Sequence, residues 1–170
     1  MIFRNTQEAD RSQVVSLWQQ AQAYFRENGI DQWQDGYPNA ETLEADMTSG
    51  ESYVLVDEAT EEVLATCFIS FAGESDYDVI YDGSWQHPEP YGVVHRVAVT
   101  PARKGQGLAG QLIEHAAAMC REQDIASMRM DTHEDNRSMQ RMLVKNGFVY
   151  RGIIYLGRDG AKRVAFEKTL

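Results

Sequence analysis

The order of elements legible in this 170-residue chain predicts an α+β fold in which a mixed sheet is flanked by about four helices. Three observations carry that reading. Two pairs of strand-like runs, residues 52–56 with 63–71 and 148–156 with 163–168, are each joined by a short polar turn and read as antiparallel hairpins. Other segments repeat apolar residues at helical spacing, and they interrupt the strands in the order β-α-α-β-β-β-α-β-α-β-β. The hydrophobic content of 43% suffices for one domain with a real core, and no repeat or composition shift divides residues 1–170.

Residues 2–4 form the first short strand. Val14, Leu17, Trp18, Ala21 and Phe25 then recur at helical spacing up to Asn28-Gly29, a stop signal. Asn39 is placed to cap a second helix whose apolar side is Leu43 and Met47, with Gly50 just past its end. The aromatic-rich run I-D-Q-W-Q-D-G-Y-P connects the two helices. After the first hairpin, residues 72–90 carry Gly, Ser, Asp and two prolines without clean periodicity, and read as a surface insertion that borders a site. Tyr77, Tyr81 and Trp85 distinguish it from a featureless linker. A strand follows over 93–99, then a helix over 107–121 with Leu108, Leu112, Ala116 and Met119 on one stripe. A strand over 128–131 precedes a helix over 136–146, with Met139, Met142 and Leu143 inward and Gly147 as its left-handed terminator.

The formal net charge of −10, from 26 acidic and 16 basic residues, argues against nucleic acid or an anionic membrane as partner and tolerates a cationic acceptor. Cys67 and Cys120, the only cysteines, each lie in an apolar segment, so core packing in a reducing compartment is expected rather than a disulfide. The first ten residues contain no apolar signal, and no run reaches the roughly 18 apolar residues of a membrane span. A soluble, cytoplasmic protein is the expectation.

The most informative segment is V-A-V-T-P-A-R-K-G-Q-G-L-A-G-Q-L-I over residues 97–113, where a strand enters a helix through a basic, glycine-containing loop. Lys104, Gly105, Gln106 and Gly107 allow several backbone N–H groups to converge, and the following helix adds its positive end, so the loop suits a phosphate. Gly105, Gly107 and Gly110 fit G-x-G-x-x-G, with Asp131 at the distance of a ribose-binding acid, which alone would suggest an NAD-dependent oxidoreductase. Two features oppose it. Residues 100–104 separate the glycines from the strand, and too little chain remains for the rest of a dinucleotide domain. A nucleotide-hydrolysing P-loop would need Lys-Ser or Lys-Thr after the glycines, and neither is present.

The segment instead resembles the acyl-CoA site of the GNAT superfamily of N-acetyltransferases, in the elements Val99-Thr100-Pro101 and Lys104-Gly105-Gln106-Gly107-Leu108-Ala109. Lys104 stands where that family usually has Gln or Arg. A second similarity is N-x-x-M-x-x-M-L-x-K-N-G-F, starting at Asn136 and ending at Phe148. The resemblance implies a mostly antiparallel sheet with a splayed central strand pair and acetyl-CoA as cofactor, with CoA as product. In its terms the backbone of Val97, Ala98 and Val99 would hold the pantetheine arm and acetyl carbonyl. Arg103, Lys104, Gly105, Gln106, Gly107, Leu108 and Ala109 would meet the pyrophosphate through backbone N–H groups, whose position at a helix start demands an acceptor. Asn136 could contact the pantetheine arm, cap its helix, or do both.

Acetyl transfer to an amine requires a neutral nucleophile, so a base must remove a proton from an alkylamine whose pKa is about 10.4. His95, on the 93–99 strand, is the leading base; a structural hydrogen bond is its other reading. His133, in D-T-H-E-D, is a second candidate base. Arg96 should face the other way and pair with an acidic residue. The backbone N–H of Val99 or its neighbour can stabilise the developing oxyanion. The tyrosine that the family commonly uses as general acid is absent, Leu143 occupying its place, so Tyr150, Tyr155 or water would protonate the thiolate, unless it leaves unaided. Gln32, Trp33 and Tyr37 could line the acceptor pocket and hold a cationic amine by cation–π contact, with core packing as the alternative for Trp33. The acceptor is expected to be a small-molecule or peptide amine. No metal is required, and an exposed edge in the C-terminal hairpin could support a homodimer. An acyl-CoA-binding sensor without turnover is the alternative from another functional class.

Overall fold

The computed structural model describes residues 1–170, and its seven strands follow the order β1-β2-β3-β4-β5-β7-β6. The strands are β1 (Ile2–Asn5), β2 (Ser52–Val56), β3 (Val63–Ser70), β4 (Gly92–Val99), β5 (Ser127–Thr132), β6 (Val149–Tyr155) and β7 (Lys162–Thr169). The helices are α1 (Arg11–Glu27), α2 (Ala40–Thr48), α3 (Leu108–Glu122) and α4 (Arg137–Lys145). Every predicted element forms, with ends displaced by a few residues. Four ladders run antiparallel: the expected hairpins β2 with β3 and β6 with β7, and also β1 with β2 and β5 with β7. β4 and β5 are parallel, and their register covers only Gly92 opposite Met128 and Val93 opposite Arg129. The central pairing therefore stops after the second residue of β4, as the splayed pair requires.

The chain forms two compact units, each discontinuous in sequence: residues 1–69 with 96–115, and residues 70–95 with 116–170. In the first, Val14, Leu17 and Trp18 of α1 and Leu43 of α2 pack with Val54, Val56, Val63 and Ala98 as one buried cluster. The spacing of the α1 residues places them on one helical stripe, so burying that stripe on strand residues removes it from water. The end signals act as their chemistry dictates. Asn39 accepts a hydrogen bond from Thr42 N at 3.0 Å and starts α2, while Gly29 adopts φ +67° beyond α1.

In the second unit, Tyr77, Tyr91, Val93, Ile154 and Ala165 form a buried cluster, with Ile80, Trp85 and Leu156 packed against it. The expected surface insertion over 72–90 forms, most of its residues being exposed, and Tyr77, 1% exposed, is its one buried side chain. The segment is tied down at several points. Tyr81 bridges Ile153, Gln86 N–H reaches Glu167 at 2.6 Å, Arg129 reaches His87 O at 2.6 Å, and Gly157 N–H reaches Asp76 at 2.9 Å. Arg129 lies 4.3 Å from the Trp85 ring and 3.7 Å from the Tyr91 ring, and its guanidinium neighbours Glu167. Aromatic and charged residues thus anchor a stretch that is otherwise exposed and without periodicity. Cys67 and Cys120 are both buried and free. Burial pushes both thiols up, that of Cys120 to about 11, so both are inert packing groups.

Candidate functional site

Strand β4 bears the candidate residues His95, Arg96, Val97, Ala98 and Val99, and its backbone is irregular at Arg96. Arg96 adopts φ +53°, a left-handed conformation that costs a non-glycine residue about 1–2 kcal/mol. Its side chain supplies the compensation. Nε donates to Asp46 Oδ2 at 2.8 Å, Nη2 to Asp46 Oδ1 at 2.7 Å, and Nη1 to the Tyr37 hydroxyl at 2.7 Å. The guanidinium also lies 4.3 Å from the Phe68 ring, and the Arg96 carbonyl accepts from Trp18 Nε1 at 3.3 Å. A planar fork on a carboxylate is the geometry in which arginine binds best. The acidic partner expected for Arg96 is therefore Asp46, and the cation closest to Tyr37 is the protein's own.

His95, one residue earlier, belongs to a different cluster in the second unit. Its Nε2 lies 3.0 Å from Glu74 Oε2 and its Nδ1 lies 3.8 Å from Asp131 Oδ1. A carboxylate accepts, so Nε2 is the donor to Glu74, and in the uncharged tautomer that this contact selects the lone pair falls on Nδ1. Asp131 Oδ1 also accepts from the Tyr77 hydroxyl at 2.6 Å. Tyr91 anchors Glu74 from the other side, its hydroxyl accepting Glu74 N–H at 3.1 Å. The His95 side chain keeps 19% of its surface, which leaves it open to solvent or substrate.

The loop after β4 contains a set of donors without acceptors. Thr100 N–H closes on Leu64 O, Arg103 N–H on Thr100 O, Lys104 N–H on Pro101 O and Gln106 N–H on Arg103 O. No acceptor in the chain meets the N–H of Gly105, Gly107, Leu108, Ala109 or Gly110, and the first bond of α3 is Gln111 N–H to Gly107 O at 3.1 Å. Gly105 and Gly107 hold φ +81° and +79°, and a Cβ at either would meet nothing within 4 Å, so the space beside these two glycines is open. Lys104 Nζ sits 4.1 Å from the centre of the Tyr24 ring, which keeps a cation beside the loop. The residues present fit a pyrophosphate: backbone donors, a helix N-terminus and two basic side chains, Arg103 and Lys104.

The other predicted site residues are distributed as follows. Val97 and Ala98 are buried on β4 directly before this loop. Asn136 accepts Met139 N–H at 3.1 Å, so its capping role is present. Gln32 is buried, and Trp33 packs against the first core with its ring edge-on to Phe25 at 5.5 Å. Tyr150 is half exposed on β6 and edge-on to Phe166. In the strand order β5 and β7 lie between β4 and β6. His133 Nδ1 accepts Asp135 N–H at 3.0 Å, a turn-forming contact. Sequence reasoning missed Glu74, Tyr77 and Asp46, and weighed Asp131 only as a ribose ligand. Tyr77 alone left a signal, as an aromatic residue in an otherwise polar insertion.

The sheet order and the glycine loop that leads into α3 are shared with an acyltransferase class of protein, as comparison with solved structures shows. The chain belongs to the acetyltransferase (GNAT) family, whose sequence model matches residues 15–148. It is similar to a GNAT-family acetyltransferase from Streptococcus agalactiae at 31% identity and a TM-score of 0.88, covering 99% of this chain and 95% of that one. A Listeria monocytogenes acetyltransferase of the same family shares 23% identity at a TM-score of 0.74, covering 99% and 94%. The NatC complex bound to Gag peptide and CoA contains a chain of the same fold, with 13% identity, a TM-score of 0.69 and coverage of 99% and 98%. No curated protein sequence matches this chain. The protein is accordingly an acyltransferase of a family that uses acetyl-CoA. No helix is long and apolar enough to cross a membrane.

Proposed function

We propose that residues 1–170 work as one cytoplasmic N-acetyltransferase domain that moves acetyl from acetyl-CoA to a primary amine of a small molecule or peptide, by direct attack in a ternary complex. The observation that carries this reading is the set of unpartnered N–H groups on Gly105 and on residues 107–110, in the loop that follows the strand bearing His95. Gly105, Gly107, Leu108, Ala109 and Gly110 would hold the pyrophosphate through their N–H groups, with Arg103 and Lys104 supplying positive charge. Val97, Ala98 and Val99 would hold the pantetheine arm through their backbone, and Asn136 would join them through its amide. When bound, acetyl-CoA supplies an activated acyl carbonyl and a thiolate leaving group.

His95 accepts the amine proton at Nδ1 while Glu74 holds the Nε2–H tautomer, so the nitrogen that attacks is neutral. The charge that develops on the ring is then met by Asp131 and Glu74, each already facing it. The Val99 N–H polarises the acyl carbonyl. The new bond joins amine nitrogen to acyl carbon and the bond to sulfur breaks; the nitrogen's second proton passes to the departing thiolate, which leaves as CoA thiol without a side-chain acid, Tyr150 being left out of the step. That the NatC complex binds a peptide together with CoA supports a peptide amine as one class of acceptor. The test is thiol release from acetyl-CoA across peptides with free N-termini, polyamines, amino acids and aminoglycosides. Release that depends on one amine class supports the reading. CoA binding with no release on any amine makes the protein an acyl-CoA sensor instead.

A further inference from the structure

Tyr77 lies in the short helical turn Ser75–Tyr77, within the segment that the sequence marks only as an insertion. Its ring is fixed by Trp85 at 5.3 Å and Tyr91 at 6.2 Å, and Trp85 Nε1 donates to its carbonyl at 2.9 Å. Its hydroxyl has one destination, Asp131 Oδ1, the carboxylate oxygen that also faces His95 Nδ1. Burial, reinforced by the Asp131 charge, pushes the phenol well above its ordinary range, so it remains a donor throughout the working pH. The arrangement solves a geometric problem. A carboxylate without that anchor can turn toward the imidazole, take Nδ1–H, and switch the ring to the tautomer whose Nδ1 no longer accepts a proton.

We propose that Tyr77 is a positioning residue for His95: its hydroxyl holds Asp131 short of Nδ1, so that the 72–90 segment forms part of the proton-transfer apparatus. The inference rests on the reading of His95 as the base. The groups that face the ring are Glu74 before the turn, Tyr77 in the turn and Asp131 on β5, with Tyr91 behind Glu74. Freed from Tyr77, Asp131 stabilises the imidazolium, and the rising limb of the pH–rate profile moves to higher pH. Removing the Asp131 charge moves it the other way.

The experiment compares Tyr77→Phe, Asp131→Asn and His95→Gln with the parent enzyme, using the best amine found in the panel. Tyr77→Phe keeps the buried ring. It should lower kcat about tenfold, leave KM for acetyl-CoA within about twofold, and shift the limb upward. In a His95→Gln background the same change should cost less than about twofold, because a residue that acts through His95 has nothing left to position. A wild-type kcat and profile in Tyr77→Phe overturns the proposal. So does an equal loss in both backgrounds, which marks a packing defect. If Tyr77→Phe does not fold, Asp131→Asn decides: a limb shifted to lower pH supports the pairing and an unmoved limb overturns it. Full turnover in His95→Gln removes the base itself and the proposal with it, whereas loss of turnover there with an unaffected Tyr77→Phe removes the proposal alone.

Discussion

His95 and Arg96 are consecutive residues on β4, each a nitrogen base facing carboxylate, and the protein uses them in opposite ways. Arg96 makes two parallel hydrogen bonds to Asp46, both side chains being at most 10% exposed, and is further held by Tyr37 and Phe68. His95 makes one short contact to Glu74 and stands off from Asp131 by 3.8 Å, with 19% of its side chain exposed. A guanidinium stays charged at every working pH, so burying it in a rigid fork gives a strut that fixes the left-handed kink. An imidazole changes charge near neutrality, so a looser and wetter setting lets it exchange protons. The difference teaches that opposite charge beside a base does not by itself mark chemistry. Geometry and access decide which pair is a brace and which is a proton site.

The contrast can be broken from either side, the strut first. Asp46→Ala leaves a buried guanidinium without its carboxylate and should cost about 3–5 kcal/mol in denaturant unfolding. A loss below about 1 kcal/mol would show that Arg96 is not a strut. His95→Ala should do the reverse, lowering turnover about 100-fold or more while shifting stability by no more than about 1 kcal/mol. An unaltered pH–rate profile in that variant would remove His95 as the base. Lys104→Glu, in the unit that contains Arg96, should weaken acetyl-CoA about tenfold by calorimetry, because it sets a negative charge beside the pyrophosphate. Unchanged affinity would reject the placement of the loop. Asn136→Ala, in the unit that contains His95, should remove about 1 kcal/mol of capping stability. A simultaneous rise in KM for acetyl-CoA would add the cofactor role to the cap, and an unchanged KM would leave the cap alone.

What was legible in the sequence follows from the range of the interactions involved. Asn39 caps α2 and Asn136 caps α4 through bonds spanning three residues, so local chemistry announced both. The anion loop was legible because strand, glycines and helix are contiguous. Glu74 meets His95 across 21 residues, Asp46 meets Arg96 across 50, and Tyr77 meets Asp131 across 54. No periodicity encodes such pairings, and Glu74 and Tyr77 lie in a segment whose Gly, Ser and Pro content imitates a free loop. The sequence indicated that Arg96 needs an acid but could not say which of 26 would serve.

The division of the chain at residues 69/70, 95/96 and 115/116 has a consequence for biosynthesis. A ribosome delivers residues 70–95 before the first unit has received its closing stretch, and long before Asp131 and Glu167, the acceptors for Tyr77 and Gln86, exist. The nascent segment therefore carries Tyr77, Tyr81 and Gln86 ahead of their partners, which arrive in chain order: Asp131 with β5, Ile153 with β6 and Glu167 with β7. Its last anchor is supplied only by the last strand.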